Sequence, residues 1–252
     1  MWREEIGEGD ETKKTQWYRD GVSYWEGVEA SVDGVLGGYG HVNDADIIGS
    51  EVFLKTLLQE RLVNNVGANQ HLVALDCGSG IGRITKNLLI RYFNEVDLLE
   101  PVAQFLDAAR ENLASAGSET HKATNFFCVP LQEFTPAAGR YDVIWVQWCI
   151  GHLTDNDFVS FFNRAKDLFW IKRIIASPDR IHTSNSSFAN VGYISIEQRN
   201  LQSFLQNHNF QDQKGLPQEL FAVKMYALTV DTPPKIHRTR SKTRSNRPQI
   251  IK

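Results

Sequence analysis

The stretch DCGSGIG (Asp76–Gly82) places three glycines behind an acidic residue. Glycine costs about 0.5–1 kcal/mol relative to alanine inside a helix or strand, so three glycines this close together indicate a backbone that a ligand approaches closely. The stretch follows an apolar run, His71–Cys77, and precedes a segment with helical spacing, Gly82–Phe93. Because the first N–H groups of a helix have no partner within it, this order predicts a nucleotide-type binding loop. A plain tight turn is the alternative from these residues alone.

A second acidic residue, Glu100, ends the next apolar run, 24 residues after Asp76. A carboxylate at this place can accept hydrogen bonds from both ribose hydroxyls of an adenosine. Asp76 at the head of the loop would repel a pyrophosphate, whereas it would attract a ligand that carries a sulfonium and an ammonium group. Asp76 therefore favours S-adenosylmethionine over a nicotinamide dinucleotide as the cofactor, and Glu100 suits the adenosine of either.

Short apolar segments alternate with helical patterns along the chain, which predicts an α/β fold with a doubly wound, mostly parallel sheet. In such a sheet, ligands bind outside the carboxyl ends of the strands. Ser50 is the predicted N-cap of the helix Ser50–Leu62. The predicted helices are Ser50–Leu62, Gly82–Phe93, Val102–Gly117 and Thr154–Phe169, and the predicted strands are His71–Cys77, Glu95–Pro101, Ala123–Pro130 and Tyr141–Ile150.

The charge is unevenly distributed over the 252 residues. The net charge is −3, but residues 231–252 carry seven Lys or Arg residues and one acid, or +6, which leaves −9 for the first 230 residues. An acidic body suits a cationic substrate. The basic end has few apolar residues and is expected to be disordered. It is either a solvent-exposed terminus without a further role, a nuclear localisation signal or a segment that contacts nucleic acid.

We expect a flexible N-terminus over residues 1–20, one domain over residues 21–230 and a disordered basic tail over residues 231–252. The three cysteines lack CxxC spacing, so neither a zinc site nor a disulfide framework is expected, and reduced thiols indicate a cytoplasmic or nuclear protein. No apolar run approaches the roughly 20 residues that a membrane helix needs, and no secretory signal is visible. We therefore expect no membrane partner.

Three stretches resemble the family of N-terminal Xaa-Pro-Lys protein α-N-methyltransferases: SVDGVLGGYGHV (Ser31–Val42), DCGSGIGRITK (Asp76–Lys86) and YDVIWVQWCIGHLTD (Tyr141–Asp155). The resemblance runs from about Tyr24 to Lys166 and resumes over Gln213–Val230, and the basic tail looks like that of plant-type members. It implies a class I methyltransferase fold with a seven-stranded type of sheet. The implied reaction adds one to three methyl groups from S-adenosylmethionine to the free α-amine of proteins that begin Xaa-Pro-Lys after removal of the initiator Met.

The resemblance also implies two groups of site residues. The cofactor group is Gly78, Gly80, Arg83, Glu100, Leu131, Gln132 and Gln147, of which Leu131 and Gln132 belong to an adenine-side loop. The substrate channel is lined by Trp25, Leu36, Tyr39 and Trp148, with His152 as the catalytic base.

Elementary chemistry is consistent with these roles. An α-amine has a pKa of about 7.7–8.0, so the enzyme needs only to remove one proton and to align the reacting atoms. His152 titrates near neutrality and can take that proton, while Trp25 and Trp148 can hold the cationic amine over their faces. The alternatives are that His152 only caps the next helix, that Tyr39 is a turn residue, and that Trp145 or Trp148 belongs to the core.

Residues 168–210 depart from the family pattern, which continues with a fifth strand ending in Asn and then with an acid-rich loop. We interpret this segment as the family's segment read in another frame, as in an alternative splice form; a divergent insertion is the alternative. The segment WIKRIIA (Trp170–Ala176) has strand-like content and is a candidate for the vacant slot, with Ser177 and Pro178 at its carboxyl end.

In the family, that Asn and the acids of the loop bind and deprotonate the amine. Because they are absent, we expect a sheet disturbed around the fifth strand and a chain with weak or no activity. A small-molecule or side-chain methyltransferase and a cofactor-binding inactive isoform are the alternative functions.

Overall fold

A computed structural model describes residues 9–64, 71–167, 174–177, 209–212 and 224–228. Three short 3-10 turns, Gly40–Val42, Leu89–Arg91 and Ile150–His152, connect longer elements. The helices are α1 (Glu11–Glu26), α2 (Val32–Val35), α3 (Asn43–Asn64), α4 (Arg83–Asn87), α5 (Ala103–Leu113) and α6 (Asp155–Asp167). The strands are β1 (Val73–Cys77), β2 (Glu95–Leu99), β3 (Lys122–Phe127), β4 (Val143–Gln147), β5 (Ile174–Ser177), β6 (Asn209–Asp212) and β7 (Lys224–Leu228).

The strands form one sheet in the order β3-β2-β1-β4-β5-β7-β6. The pairs from β3 through β5 are parallel, whereas β7 is antiparallel to both β5 and β6. The chain proceeds from β1 to β2 and β3 on one side and returns to β4 on the other. The strand order therefore reverses at β1 and β4, which is where a doubly wound sheet binds its ligand. The predicted doubly wound, mostly parallel α/β fold is confirmed.

The central strands are buried on both faces, as is typical of a parallel sheet covered by helices. Every residue of β1 and β4 is buried. Ala74 and Trp145 pack with α3 and α4 on one face, whereas Leu75 and Ile144 pack with α6 on the other. Trp145 is thus the core member of the tryptophan pair considered in the sequence.

The slot beside β4 is filled by β5, which consists of residues from the segment predicted to enter it. Ile174 pairs with Ile144, and Ser177 pairs with Gln147, in parallel register. The sheet is therefore continuous through this position, and the predicted disturbance is not seen in the described strands. Residues 168–173 and 178–208 lie outside the described residues, as does the basic tail over residues 231–252.

The expectation of a loose N-terminus is wrong for residues 11–20, which belong to α1. The Asp10 side chain caps this helix by accepting hydrogen bonds from the N–H groups of Thr12 and Lys13. Farther along α1, the Tyr18 hydroxyl donates to Asp157 Oδ2 at 2.6 Å and accepts from the Thr154 N–H at 3.1 Å. Polar contacts therefore fix α1 to the start of α6.

The predicted N-cap at Ser50 is also wrong. Helix α3 begins at Asn43, so Ser50 lies two turns inside it, buried, and its hydroxyl accepts from Gln147 Nε2 at 3.2 Å. Ser50 therefore holds a neighbouring strand rather than a helix end. None of the described helices has the length and apolar character that would let it cross a membrane.

Candidate active site

The glycine loop after β1 folds back over the end of β2. The N–H groups of Gly78 and Ser79 donate to the Leu99 carbonyl at 2.8 and 3.2 Å, and the Gly80 N–H donates to Glu100 Oε2 at 3.0 Å. All three glycines have positive φ, at 64°, 52° and 75° for Gly78, Gly80 and Gly82. This left-handed backbone favours glycine at each position.

The space around each glycine differs. A Cβ on Gly78 would lie 2.5 Å from the Cys149 Cβ, and a Cβ on Gly82 would lie 3.0 Å from Leu113 Cδ1. These two glycines therefore permit close packing within the protein. A Cβ on Gly80 would meet only Val35, at 3.4 Å, so Gly80 is the glycine beside which the protein leaves room for a ligand.

Two buried carboxyl groups flank the loop. Glu100 accepts the Gly80 N–H on Oε2 and the Val102 N–H on Oε1, both at 3.0 Å, and each oxygen has a second lone pair for a ribose hydroxyl. Asp76 Oδ2 accepts from the Thr85 hydroxyl at 2.6 Å. Burial raises the pKa of Glu100 to about 7 and the pKa of Asp76 to about 6. Such a pair favours a cationic ligand, which stabilises the ionised carboxylates.

Two predicted cofactor residues, Arg83 and Gln147, meet at one residue of α3. Arg83 NH1 is 2.8 Å from Asp46 Oδ2, and Gln147 Nε2 donates to Asp46 Oδ1 at 2.7 Å. The Trp145 indole N–H donates to Gln147 Oε1 at 2.7 Å, so the amide of Gln147 is fixed from both ends. The structure thus holds two predicted cofactor residues in defined orientations.

Trp148 and His152 follow β4 directly. Trp148 has a φ of 60°, which makes it the non-glycine residue with positive φ in the described part of the chain. Its indole N–H donates to Asp46 Oδ1 at 3.2 Å. The His152 ring packs edge-on against the Trp25 ring, with centroids 5.8 Å apart. Burial lowers the pKa of His152, which keeps the imidazole neutral and able to accept a proton at physiological pH.

The substrate side is completed by α1 and by the segment around α2. Trp25 lies in the last turn of α1, and its ring also meets Phe105 on α5, with centroids 6.3 Å apart. Val35 in α2 packs on the same apolar cluster as Trp25. Leu36 and Tyr39 follow Val35 and are both half-buried, and their contact with a substrate stays a prediction.

The loop predicted for the adenine side is held through its backbone. Arg164 on α6 donates from NH2 to the carbonyls of Gln132 and Leu131, at 2.8 and 3.5 Å, and from Nε to the Phe134 carbonyl at 3.2 Å. The side chains of Leu131 and Gln132 are half-buried. The predicted cofactor residues thus lie at or near the carboxyl ends of neighbouring strands.

The sequence prediction missed the residues that support this site. Arg164 and Asp46 belong to helices whose patterns are read from apolar residues, so a half-buried or buried charge within them gives no periodic signal. The isolated acid within ADII (Ala45–Ile48) was the available clue, because a carboxylate among apolar residues needs partners when it is buried.

Comparisons with known proteins give consistent results. A family model described as AdoMet dependent proline di-methyltransferase matches residues 13–229. Alpha N-terminal protein methyltransferase 1 of Arabidopsis thaliana is 83% identical over 258 residues, which covers 100% of this chain and 94% of that protein. N-terminal Xaa-Pro-Lys N-methyltransferase 1 of Danio rerio is 39% identical and covers 85% of this chain and 96% of its own length. A solved SAM-dependent methyltransferase of Leishmania major, 32% identical, superimposes with a TM-score of 0.68 and covers 90% of this chain and 89% of its own.

Proposed function

Because the chain belongs to the AdoMet-dependent proline di-methyltransferase family, we propose that it methylates the free α-amino group of proteins whose mature N-terminus reads Xaa-Pro-Lys. The methyl donor is S-adenosylmethionine, as the family description states. The observation that carries the proposal is the joining of two half-sites after β4. On the cofactor side the Gly80 N–H donates to Glu100, and on the amine side the Trp25 and His152 rings pack together. The Trp148 indole N–H donates to Asp46, which also contacts Arg83 and Gln147 of the cofactor side.

The cofactor residues fit this donor. Glu100 offers both carboxylate oxygens to ribose hydroxyls, and Gly80 leaves space beside the backbone. Among the described residues, Arg83 makes its side-chain contacts through NH1, to Asn43 and Asp46, so its other N–H donors can serve a carboxylate such as that of the cofactor's amino acid portion. When bound, the cofactor supplies an electrophilic methyl group on a positively charged sulfur.

The amine residues fit the acceptor. The neutral His152 imidazole can accept a proton from the α-ammonium group, whose own pKa is about 7.7–8.0, and release that proton to water. The transfer is uphill, because burial lowers the pKa of His152, so release to water must follow it. The half-buried Trp25 and Trp148 rings can bind the cationic amine before the proton leaves. A free α-amine is therefore the acceptor that this site serves, and an acetylated N-terminus has no lone pair to give.

A peptide assay tests the proposal. The chain is incubated with labelled S-adenosylmethionine and a peptide that begins Ser-Pro-Lys, and the same peptide with an acetylated α-amine is the control. Label on the free peptide alone supports the proposal. Label on both peptides indicates side-chain methylation, whereas label on neither, with normal binding of S-adenosylhomocysteine, indicates the inactive isoform.

A further inference from the structure

Asp46 is a fully buried carboxylate in the first turn of α3, and three side chains from other parts of the fold converge on it, two as hydrogen-bond donors and one as an ion-pair partner. Arg83 NH1 lies 2.8 Å from Oδ2, while Gln147 Nε2 and Trp148 Nε1 lie 2.7 and 3.2 Å from Oδ1. Arg83 and Gln147 belong to the cofactor side of the site, and Trp148 belongs to the amine side. One side chain therefore contacts both halves.

The same face of α3 supplies two more contacts to this set. Asn43 Oδ1 accepts from Arg83 NH1 at 3.2 Å, and the Ser50 hydroxyl accepts from Gln147 Nε2 at 3.2 Å. Residues at positions i, i+3 and i+7 share one helix face, which describes Asn43, Asp46 and Ser50. Helix α3 thus presents a polar row to the site, with Asp46 at its centre.

Trp148 depends on this row because its backbone is strained. A non-glycine residue with a φ of 60° persists only where its surroundings hold it. The bond from its indole N–H to Asp46, together with the fixed amide of the preceding Gln147, provides that restraint. The direction of the Trp148 ring and the direction of the Arg83 guanidinium are therefore set by the same carboxylate.

We propose that Asp46 is a positioning residue that couples the cofactor half of the site to the substrate half. An aspartate carboxylate accepts hydrogen bonds and carries a negative charge, which matches two donors, Gln147 Nε2 and Trp148 Nε1, and the Arg83 guanidinium with which it forms an ion pair. An asparagine has the same shape but turns one acceptor into a donor, so at least one of these neighbours meets a donor. The part of this inference that concerns the peptide rests on the proposed function. The part that concerns Arg83 and Gln147 depends on cofactor binding alone.

The test compares Asp46→Asn with Asp44→Asn, the same change at an exposed residue of the same helix turn. The Asp44 replacement keeps an oxygen for the Asn43 amide, which donates to Asp44 Oδ1 in the structure. Calorimetry measures binding of S-adenosylhomocysteine, and then binding of a Ser-Pro-Lys peptide to the complex. Asp46→Asn is expected to weaken both by about 10-fold or more, since the ion pair with Arg83 is lost and the hydrogen bonds from Gln147 and Trp148 no longer reach a charged acceptor, whereas Asp44→Asn leaves both unchanged.

A second variant keeps the inference testable where Asp46→Asn fails to fold. Trp148→Phe keeps an aromatic ring but removes the indole N–H together with part of the ring surface. It is expected to weaken peptide binding several-fold and also to change the affinity for S-adenosylhomocysteine. A merely structural role for Asp46 would leave that second affinity unmoved. Unchanged binding of S-adenosylhomocysteine in both variants overturns the inference. Failure of the peptide to bind any version of the chain counts against the proposed function instead.

Discussion

At the scale of single residues, Glu100 and Asp76 give the site a pH response. Burial raises the pKa of Glu100 to about 7 and that of Asp76 to about 6, both above the values of an unfolded chain, so the folded protein binds these protons more tightly. Their contribution to stability is therefore fully present below about pH 4 and is lost as the pH rises through 6 to 7. A cationic cofactor that needs the ionised carboxylates opposes this loss.

We expect S-adenosylmethionine to bind more tightly at pH 8 than at pH 6, with release of protons from Glu100 on binding near pH 6.5. Calorimetry in two buffers with different ionisation enthalpies measures that release. The matched variant Glu100→Gln is expected to bind weakly and to keep only the pH dependence that Asp76, with a pKa of about 6, contributes. Equal heats in the two buffers at pH 6.5 would contradict the assignment of Glu100.

Gly80 is the second prediction at this scale. Gly80→Val is expected to abolish binding of S-adenosylhomocysteine, because the side chain enters the open space beside the loop at a φ of 52°. Gly139→Val is the control, since Gly139 has a φ of 69° in an exposed loop with no heavy atom within 4 Å of its Cβ position. Both variants place a valine at a positive φ, so a difference in cofactor binding between them comes from the location of Gly80 and not from backbone strain. Unchanged affinity in Gly80→Val would remove the site assignment.

At the scale of elements, the strands that carry the site were predictable from sequence, since each is buried on both faces. Strand β1 was expected over His71–Cys77 and spans Val73–Cys77, and β4 was expected over Tyr141–Ile150 and spans Val143–Gln147. Helix α1 was missed because its residues are mostly polar and none is buried. Its position depends on a contact between Tyr18 and Asp157, 139 residues apart, and no local pattern contains such a contact.

This contact gives the prediction at the scale of elements. Tyr18→Phe removes the hydroxyl that donates to Asp157 and accepts from the Thr154 N–H, and leaves that buried N–H unsatisfied. We expect a loss of about 1–3 kcal/mol in the stability of the α1 contact. Because α1 carries Trp25, peptide affinity should fall while the affinity for S-adenosylhomocysteine changes little. Hydrogen exchange of the α1 amides measures the first effect and calorimetry measures the second.

The control for this variant is Tyr24→Phe on the same helix, where the tyrosine is 56% exposed. It also removes a tyrosine hydroxyl from α1, and it should leave hydrogen exchange of the α1 amides unchanged. Equal protection of α1 in all three proteins would show that the Tyr18 contact does not hold the helix.

At the scale of the whole molecule, the basic tail is expected to be dispensable for folding. Residues 232–252 contain few apolar side chains, so truncation after Asp231 should leave the melting temperature within about 2 °C of the full chain. Peptide methylation should also be retained. A clear fall in melting temperature would show that the tail packs on the domain, and loss of nuclear accumulation on truncation would support its role as a nuclear address.

We expect the segment over residues 168–210 to set how active the whole chain is. Its strand β5 ends at Ser177, which pairs with Gln147, the last residue of β4. Trp148, the first residue on the amine side, follows Gln147 directly. The family resemblance implies an Asn at the end of this strand and acids in the loop beyond, and the chain has Ser177 followed by Pro178, which has no N–H to donate. His152 must then serve the amine without those partners.

We therefore expect replacement of residues 168–210 by the corresponding segment of the Danio rerio relative to raise turnover of a Ser-Pro-Lys peptide by about 10²–10⁴-fold, the usual contribution of a positioned acid–base group. Ser177→Asn alone, which restores one amide at the end of β5, should recover a smaller part of that gain. Binding of S-adenosylhomocysteine should stay within a few-fold in both variants, because the glycine loop, Glu100 and Gln147 all precede the exchanged segment. Steady-state kinetics beside the unchanged chain measure the difference. A turnover for the unchanged chain within a few-fold of the exchanged one would overturn both the other-frame interpretation and the role given to the missing residues.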